Sequence, residues 1–333
     1  MVYDIRVNEN VLLTYPKEQR VKMFLAPAFG GLGLSLLEGY DLVRALSYEN
    51  GSEGWLAQIG SGGNYFAPWL HPEVLEWLKA PNAVLAGSGK ASGIATREND
   101  GWRISGSWAY CSGAENAHFF TFVALDYDTK ENVTFAISAK QVAVANDWVS
   151  FGMQHTQSHT VHVKEQWVPD THCFDLTGAM LNPALCSVSA VPFMDFALAS
   201  FLPVLVGCFH RFSDEIMNFV EFKEQADQYQ TGPIPKLEMY ASEFIAYENE
   251  AKQIIAQLFE ESNAFSPDLA PTQLLFRQHC LSYVSFMRKA ILEGYFSMGL
   301  KATMPKYPWT EPFLDFMTAG QHVVFKEAIV EEM

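Results

Sequence analysis

A chain of 333 residues at 49% hydrophobic content can bury a large core, and its formal charge of -16 would repel a phosphate backbone over most of the surface, so nucleic acid is not an expected partner. No uninterrupted apolar run approaches the ~20 residues of a membrane span, and the start MVYDIRVNENVLL lacks a basic region followed by an apolar one, so no membrane partner is expected either. Cys111, Cys173, Cys186, Cys208 and Cys280 are scattered, odd in number and free of CxxC spacing, which points to a reducing, cytoplasmic setting rather than disulfides or a zinc site.

Three textures follow one another along the chain. Residues 1–78 read as a short N-terminal helical domain: in LLEGYDLVRALSYENGSEGWLAQIG the apolar positions Leu36, Tyr40, Val43, Leu46 and Leu56 recur at the three-and-four spacing of amphipathic helices. GGLGLS before them has no preceding strand and no following Lys-Ser/Thr, so it reads as a turn into a helix rather than a phosphate cradle. Residues 79–178 change period. HFFTFVAL, VTFAIS and TVHVKEQWV are short and rich in β-branched and aromatic residues, and ENDGWRISGSW carries an Asp-Gly hairpin signal, so this is a β-domain. Residues 185–333 return to helical period, with Phe244, Tyr247, Ala251, Ile254 and Leu258 on one stripe and Val284, Met287, Ile291, Tyr295 and Met298 on another. TGPIP at 231–235 and NAFSPDLAPT at 263–272 break these helices, which need each other as a bundle. The class is therefore α+β.

The chemistry-bearing stretch of the β-region is GWRISGSWAYCSGAENAHFF, where small residues from Cys111 to Ala114 lie beside Trp108 and Tyr110. Small residues next to aromatics admit a flat ring, and the Ser112 hydroxyl and the Gly113 backbone suit its polar edge. An ordinary hairpin with a tryptophan in the core fits the same spacing. His155, His159 and His162 would share a helix face, but the segment reads as loop then strand, so no metal site is expected.

Taken in order, GGLGLSLLEGYDLVRAL (30–46), GSGKASGIATRENDGWRISGSWAYCSG (87–113), FGMQHTQSHTVHVKEQWVPD (151–170) and TAGQHVVF (318–325) resemble the acyl-CoA dehydrogenase superfamily, and within it the group D flavin-dependent monooxygenase branch. GSGKASGIA matches a glycine-rich loop of that pattern. The resemblance implies N-terminal helices, a β-barrel-like middle domain and a C-terminal four-helix bundle, assembled as a homodimer or homotetramer. It places Trp108, Tyr110, Ser112, Gly113, Thr156 and Ser158 at the flavin, Ser112 and His322 at the reaction, and Asn64 and Tyr65, in IGSGGNYFAPW, in a substrate pocket. The implied cofactor is FAD or FMN, and the implied chemistry is activation of oxygen by reduced flavin, with a hydroxyl and a histidine shielding the reaction from water. An imidazole there would also take a proton from a phenolic substrate.

The departures matter equally. Only 26 residues precede PAFGGLGLS where the family has a further helical pair, which would leave the pocket open on one side. Gln154 replaces an arginine and Gln157 a glycine of the G-M-R-x-T-G-S pattern; Leu314 stands where another arginine precedes the retained Asp315. Arginine forks grip phosphates, so these losses leave FMN, weakly held reduced flavin or an absent flavin beside FAD as readings. The glutamate base of an acyl-CoA dehydrogenase has no match at the C-terminus, where Glu327 and Glu331 read as a solvated face, although Glu221, Glu243 and Glu248 remain in the bundle. The leading expectation is a two-component flavin-dependent monooxygenase, served by a flavin reductase and acting on a hydrophobic or aromatic small molecule. The alternatives are a catalytically degenerate binding scaffold and an acyl-CoA dehydrogenase.

Overall fold

The structure is a computed structural model that describes residues 14–80, 83–225 and 234–326, without the side chains of 222–225 and 234–239. Glu327 and Glu331 lie outside the described residues. The first helices are α1 (Leu36–Glu49), α2 (Gly51–Gly62) and α3 (Pro72–Leu78). Ser35 caps α1 with a complete capping box to Glu38, which makes GGLGLS the turn into a helix that its sequence announces. Asn50 ends α1 and caps α2 through its side chain. The glycines of α2 are spaces for neighbours: a Cβ on Gly54 would meet Ser47 Oγ at 1.9 Å, and one on Gly51 would meet Asp315 Oδ2 at 2.5 Å. They bring α2 close to both α1 and the C-terminal helices.

Seven strands follow: β1 (Leu85–Glu98), β2 (Gly101–Cys111), β3 (Phe119–Asp126), β4 (Asn132–Ser138), β5 (Ala143–Val144), β6 (His159–Pro169) and β7 (Cys173–Phe174), in the sheet order β5-β6-β2-β1-β3-β4-β7. All neighbours are antiparallel except β1 and β3, which run parallel. GSGKASGIA, expected as a loop, is instead part of β1, its glycines absorbed by register shifts between Ser88 and Ala91 and between Ala91 and Gly93. A second irregularity, between Trp108 and Cys111 on β2, shapes the site.

The helices α4 (Phe193–Gln225), α5 (Ile234–Asn263), α6 (Leu269–Ser297) and α7 (Thr310–Ala319) form the bundle. The stripes read from sequence are its interior: Phe244, Ala251, Ile254, Leu258, Val284, Met287 and Ile291 are all buried. One stretch of α4 is as long and apolar as a membrane span, and 83% of it is buried in the fold, which accounts for its apolarity. The sheet keeps a smaller core of its own around Trp108, Phe120, Phe122 and Phe135, separate from the large helical core.

Candidate active site

Ser112, from the end of β2, and His322, from the turn after α7, meet on one residue that the sequence reading did not single out. Trp55 of α2 donates its indole N–H to Ser112 Oγ at 2.8 Å, and its ring lies edge-on to the His322 imidazole with centroids 5.6 Å apart. Phe201 of α4 stacks on His322 with centroids 4.1 Å apart and also packs against Trp55 at 5.1 Å. Burial against these rings pushes the His322 pKa down to about 4, so the imidazole is neutral near pH 7. Nδ1 accepts the Val324 N–H at 3.3 Å, which leaves the ring proton on Nε2. In this tautomer His322 presents a donor rather than a base.

From Ser112 a row of hydroxyls runs inward. Ser112 Oγ is 2.7 Å from Ser158 Oγ, Ser158 Oγ is 2.7 Å from Thr156 Oγ1, and Thr156 Oγ1 donates to Met153 O at 2.9 Å. The backbone follows the same seam, with Gly113 N–H on Thr156 O at 2.8 Å. The loop that carries Thr156 and Ser158 rests on α7, since a Cβ on Gly152 would lie 2.0 Å from Leu314 O, and Asp315 accepts the Met153 N–H. Its glycine is thus required by backbone-on-backbone contact. Asp315 is buried, and desolvation, opposed by that hydrogen bond, raises its carboxyl to about 6.

Tyr110 stands at the β2 irregularity with φ 63° and its side chain 76% exposed. A bulky residue in the left-handed region carries strain that the sheet must hold in place, and here the strain holds an aromatic ring outward, edge-on to Trp148 at 6.3 Å. Trp108 is placed differently from its expected role. Its ring is wholly buried, stacked on Phe122 at 4.4 Å with its N–H on Val123 O, so it builds the sheet core and does not face a ligand. Thr156 is likewise fully buried, the inner end of the hydroxyl row.

Asn64 and Tyr65 lie within a 3-10 helix, Gly63–Trp69, and are both buried. Tyr65 stacks between Trp69 and Phe196 and spends its hydroxyl on Val191 O at 2.9 Å, which makes it a core residue rather than a pocket wall. Glu248 is buried against Arg44 at 2.5 Å, Glu243 lines a groove on the outer face of α5 and α6 with Tyr240 and Lys289, and Glu221 is exposed. The Cys111 thiol is pushed up to about 12 by burial, as a small core residue. His159 is buried on β6 and His162 exposed beside it; among the described residues no cluster of three His, Cys, Asp or Glu could hold a metal.

These residues fit the ring portion of a flavin. An exposed aromatic face, the hydroxyls of the nearly buried Ser112 and Ser158 and a glycine backbone with φ 75° at Gly113 are what a planar heterocycle with one polar edge requires. At the position of the missing arginine, the exposed Gln154 offers only a neutral amide, held on Phe151 O at 3.5 Å.

No family model matches the chain. It is 26% identical over 256 residues to a pigment production hydroxylase from Rhodococcus sp., covering 72% of this chain and 65% of that protein. It is 32% identical over 149 residues to an FADH2-dependent resorcinol hydroxylase, oxygenase component, from Rhizobium sp., covering 43% of this chain and 36% of that protein. The chain spans less than two thirds of the length of either relative. Among solved structures, the HsaA monooxygenase from M. tuberculosis superposes with a TM-score of 0.85 at 17% identity, over 98% of this chain and 91% of that one. The chain therefore has the acyl-CoA dehydrogenase-like fold, and its relatives include oxygenase components of flavin-dependent hydroxylases and monooxygenases.

Proposed function

We propose that this chain, built on the fold of those oxygenase components, is itself the oxygenase of a two-component flavin-dependent monooxygenase. It would receive reduced FAD or FMN from a separate flavin reductase and act on a hydrophobic or aromatic small molecule. The observation that carries this reading is the convergence of Ser112 and His322 on Trp55, beside an exposed and strained Tyr110. When bound, reduced flavin supplies two electrons to oxygen, so that one oxygen atom enters the substrate and the other leaves as water. The protein's share is placement. Tyr110 gives its face to the ring, Ser112 and Ser158 meet the polar edge, and His322 holds a proton at Nε2 for the oxygen that needs it. Trp55 and Phe201 keep the imidazole neutral by excluding water around it. The five free thiols support a cytoplasmic setting, and the exposed apolar side chains Leu292, Phe296 and Leu300 support self-association as a homodimer or homotetramer.

A binding scaffold without catalysis is the second reading, and Gln154 and Leu314, which leave two arginine positions without charge, favour it. Titration of the purified protein with FAD and FMN, each oxidised and reduced, separates the two. Saturable binding at micromolar flavin or tighter, followed by reductase-dependent product formation, is the expected result; no binding of any form would leave the scaffold.

A further inference from the structure

We propose that His159 is a positioning residue for the flavin: it fixes the backbone at Asp147 and Trp148, and through the Trp148 ring it holds Tyr110 in place. This deepens, and rests on, the flavin reading above. His159 opens β6 with its side chain 6% exposed, and both of its ring nitrogens are engaged. Nδ1 lies 3.1 Å from the Asp147 nitrogen and 3.0 Å from the Trp148 nitrogen. A backbone N–H only donates, so Nδ1 is bare and accepts from both. The ring proton is then on Nε2, which donates it to Glu115 Oε1 at 3.1 Å. Glu115 is itself held, since its other oxygen accepts the Gln157 amide at 2.8 Å.

The arrangement serves the segment that leaves β5. Ala145 N–H reaches Thr160 O at 2.8 Å and Thr160 N–H reaches Asp147 Oδ1 at 2.8 Å, so the segment is laced to the start of β6. Trp148 is anchored at both ends, its backbone on His159 Nδ1 and its indole N–H on Met153 O at 3.0 Å. A ring fixed at one end can pivot, whereas one fixed at both keeps a single orientation. Tyr110 depends on that orientation, because it is 76% exposed and meets the Trp148 ring edge-on at 6.3 Å. The stacking face of Tyr110 is thus set by the bare nitrogen of His159, two steps away.

His159→Asn and His159→Gln divide the imidazole between them. The asparagine carbonyl oxygen falls where Nδ1 is and keeps the acceptor, while the glutamine amide reaches toward Glu115 as Nε2 does and leaves Nδ1 unreplaced. The experiment titrates wild type and both variants with FAD and FMN, oxidised and dithionite-reduced. Alongside, hydrogen exchange is read on peptides covering 145–151 and, as a reference, 119–126 in β3. In His159→Gln the 145–151 amides should exchange roughly three- to tenfold faster, and flavin should bind more weakly by a similar factor, the worth of one hydrogen bond. His159→Asn should stay within about twofold of wild type on both counts, with the reference peptide unchanged in either variant. Placed on Tyr110→Gly, His159→Gln should cost no further affinity, because the ring it serves is gone. Glutamine is nearer to histidine in size, so a histidine that only fills space would be better replaced by glutamine. A glutamine variant equal to wild type, an asparagine variant as weak as glutamine, or the same loss on Tyr110→Gly would each overturn the proposal and leave the flavin reading standing. If wild type binds no form of flavin, the flavin reading fails and takes the proposal with it.

Discussion

Asp315 accepts the backbone N–H of Met153 at 2.5 Å, so the last bundle helix, α7, is hydrogen-bonded directly to the loop that carries Thr156 and Ser158. The same residue is held from its other side, where Met153 O takes the Trp148 indole N–H at 3.0 Å and the Thr156 hydroxyl at 2.9 Å. Met153 itself has φ 53°, a left-handed conformation that needs such clamping. Sheet, α2 and α7 thus build the site together, and a change at Asp315 reaches the inner end of the hydroxyl row.

Removing the Asp315 charge should reveal the cost of burying it. Desolvation raises the folded-state pKa from 3.8 to about 6, so the native state holds the proton more tightly and stability falls as pH rises through that window. Asp315→Asn keeps an oxygen for the Met153 N–H and removes the titration. Relative to wild type, the variant should gain on the order of 2 to 3 kcal/mol between about pH 4 and about pH 8. Urea unfolding at the two pH values measures this, and an unchanged difference would mean the carboxylate is not desolvated.

His322 has the opposite sign. Burial lowers its folded-state pKa from 6.5 to about 4, so the unfolded chain binds the proton more tightly and stability is lost as pH falls through that window. His322→Gln should therefore flatten the acid limb of the stability curve. It should also lower reductase-supplied product formation by at least about tenfold, because the Nε2 donor is displaced. The wild-type rate should show no break at the ordinary histidine pKa. A break there, or a His322→Gln enzyme with full rate, would remove His322 from the reaction.

Tyr110 sets stability against binding. Tyr110→Gly relieves a left-handed backbone at φ 63° and removes an exposed ring, and should raise stability by about 1 kcal/mol. The same change removes a stacking face worth about 0.5 to 1.5 kcal/mol, so flavin affinity should drop several-fold. Chemical unfolding and flavin titration of one variant read both effects. A stabilised protein with unaltered affinity would show that the ring does not touch the cofactor.

Much of this was legible in the chain. The apolar stripes through Phe244 and Val284, the β-branched strands and the turn into a helix at GGLGLS each rest on local period or local chemistry, which sequence carries. Trp55 was not legible, because its value lies in a single hydrogen bond to Ser112 across two separate elements, and nothing near it in GSEGWLAQ differs from a core tryptophan. Trp108 and Tyr110 show the same limit within one strand. They share a strand face by alternation, yet the irregularity between Trp108 and Cys111 turns one ring into the core and the other to solvent. Tyr65 followed a resemblance of position, and its packing against Trp69 and Phe196 made it a core residue instead.

Glu248 can be separated from a catalytic base by stability alone. It is buried in an ion pair with Arg44, whose guanidinium also reaches His210 Nδ1 at 3.2 Å. Glu248→Leu leaves that guanidinium without its carboxylate and should cost about 3 to 5 kcal/mol. A variant with wild-type unfolding midpoint and no activity would instead identify a base.

Gln157 tests whether a departure from the family's glycine is stored as strain. It stands where the pattern has glycine, and its φ is 49°, so the backbone has kept the conformation while the residue type has changed. Its side chain offsets part of that cost, donating to Glu115 at 2.8 Å and accepting from Asn116 at 2.8 Å. Gln157→Gly and Gln157→Ala lose these bonds alike, but only glycine is unstrained at positive φ. The glycine variant should therefore be more stable than the alanine variant by about 1 kcal/mol, and midpoints from parallel urea titrations give the difference directly. Equal midpoints would mean that the loop relaxes once the side chain is gone, and that the Glu115 and Asn116 bonds, not the backbone pattern, hold Gln157 in the left-handed region.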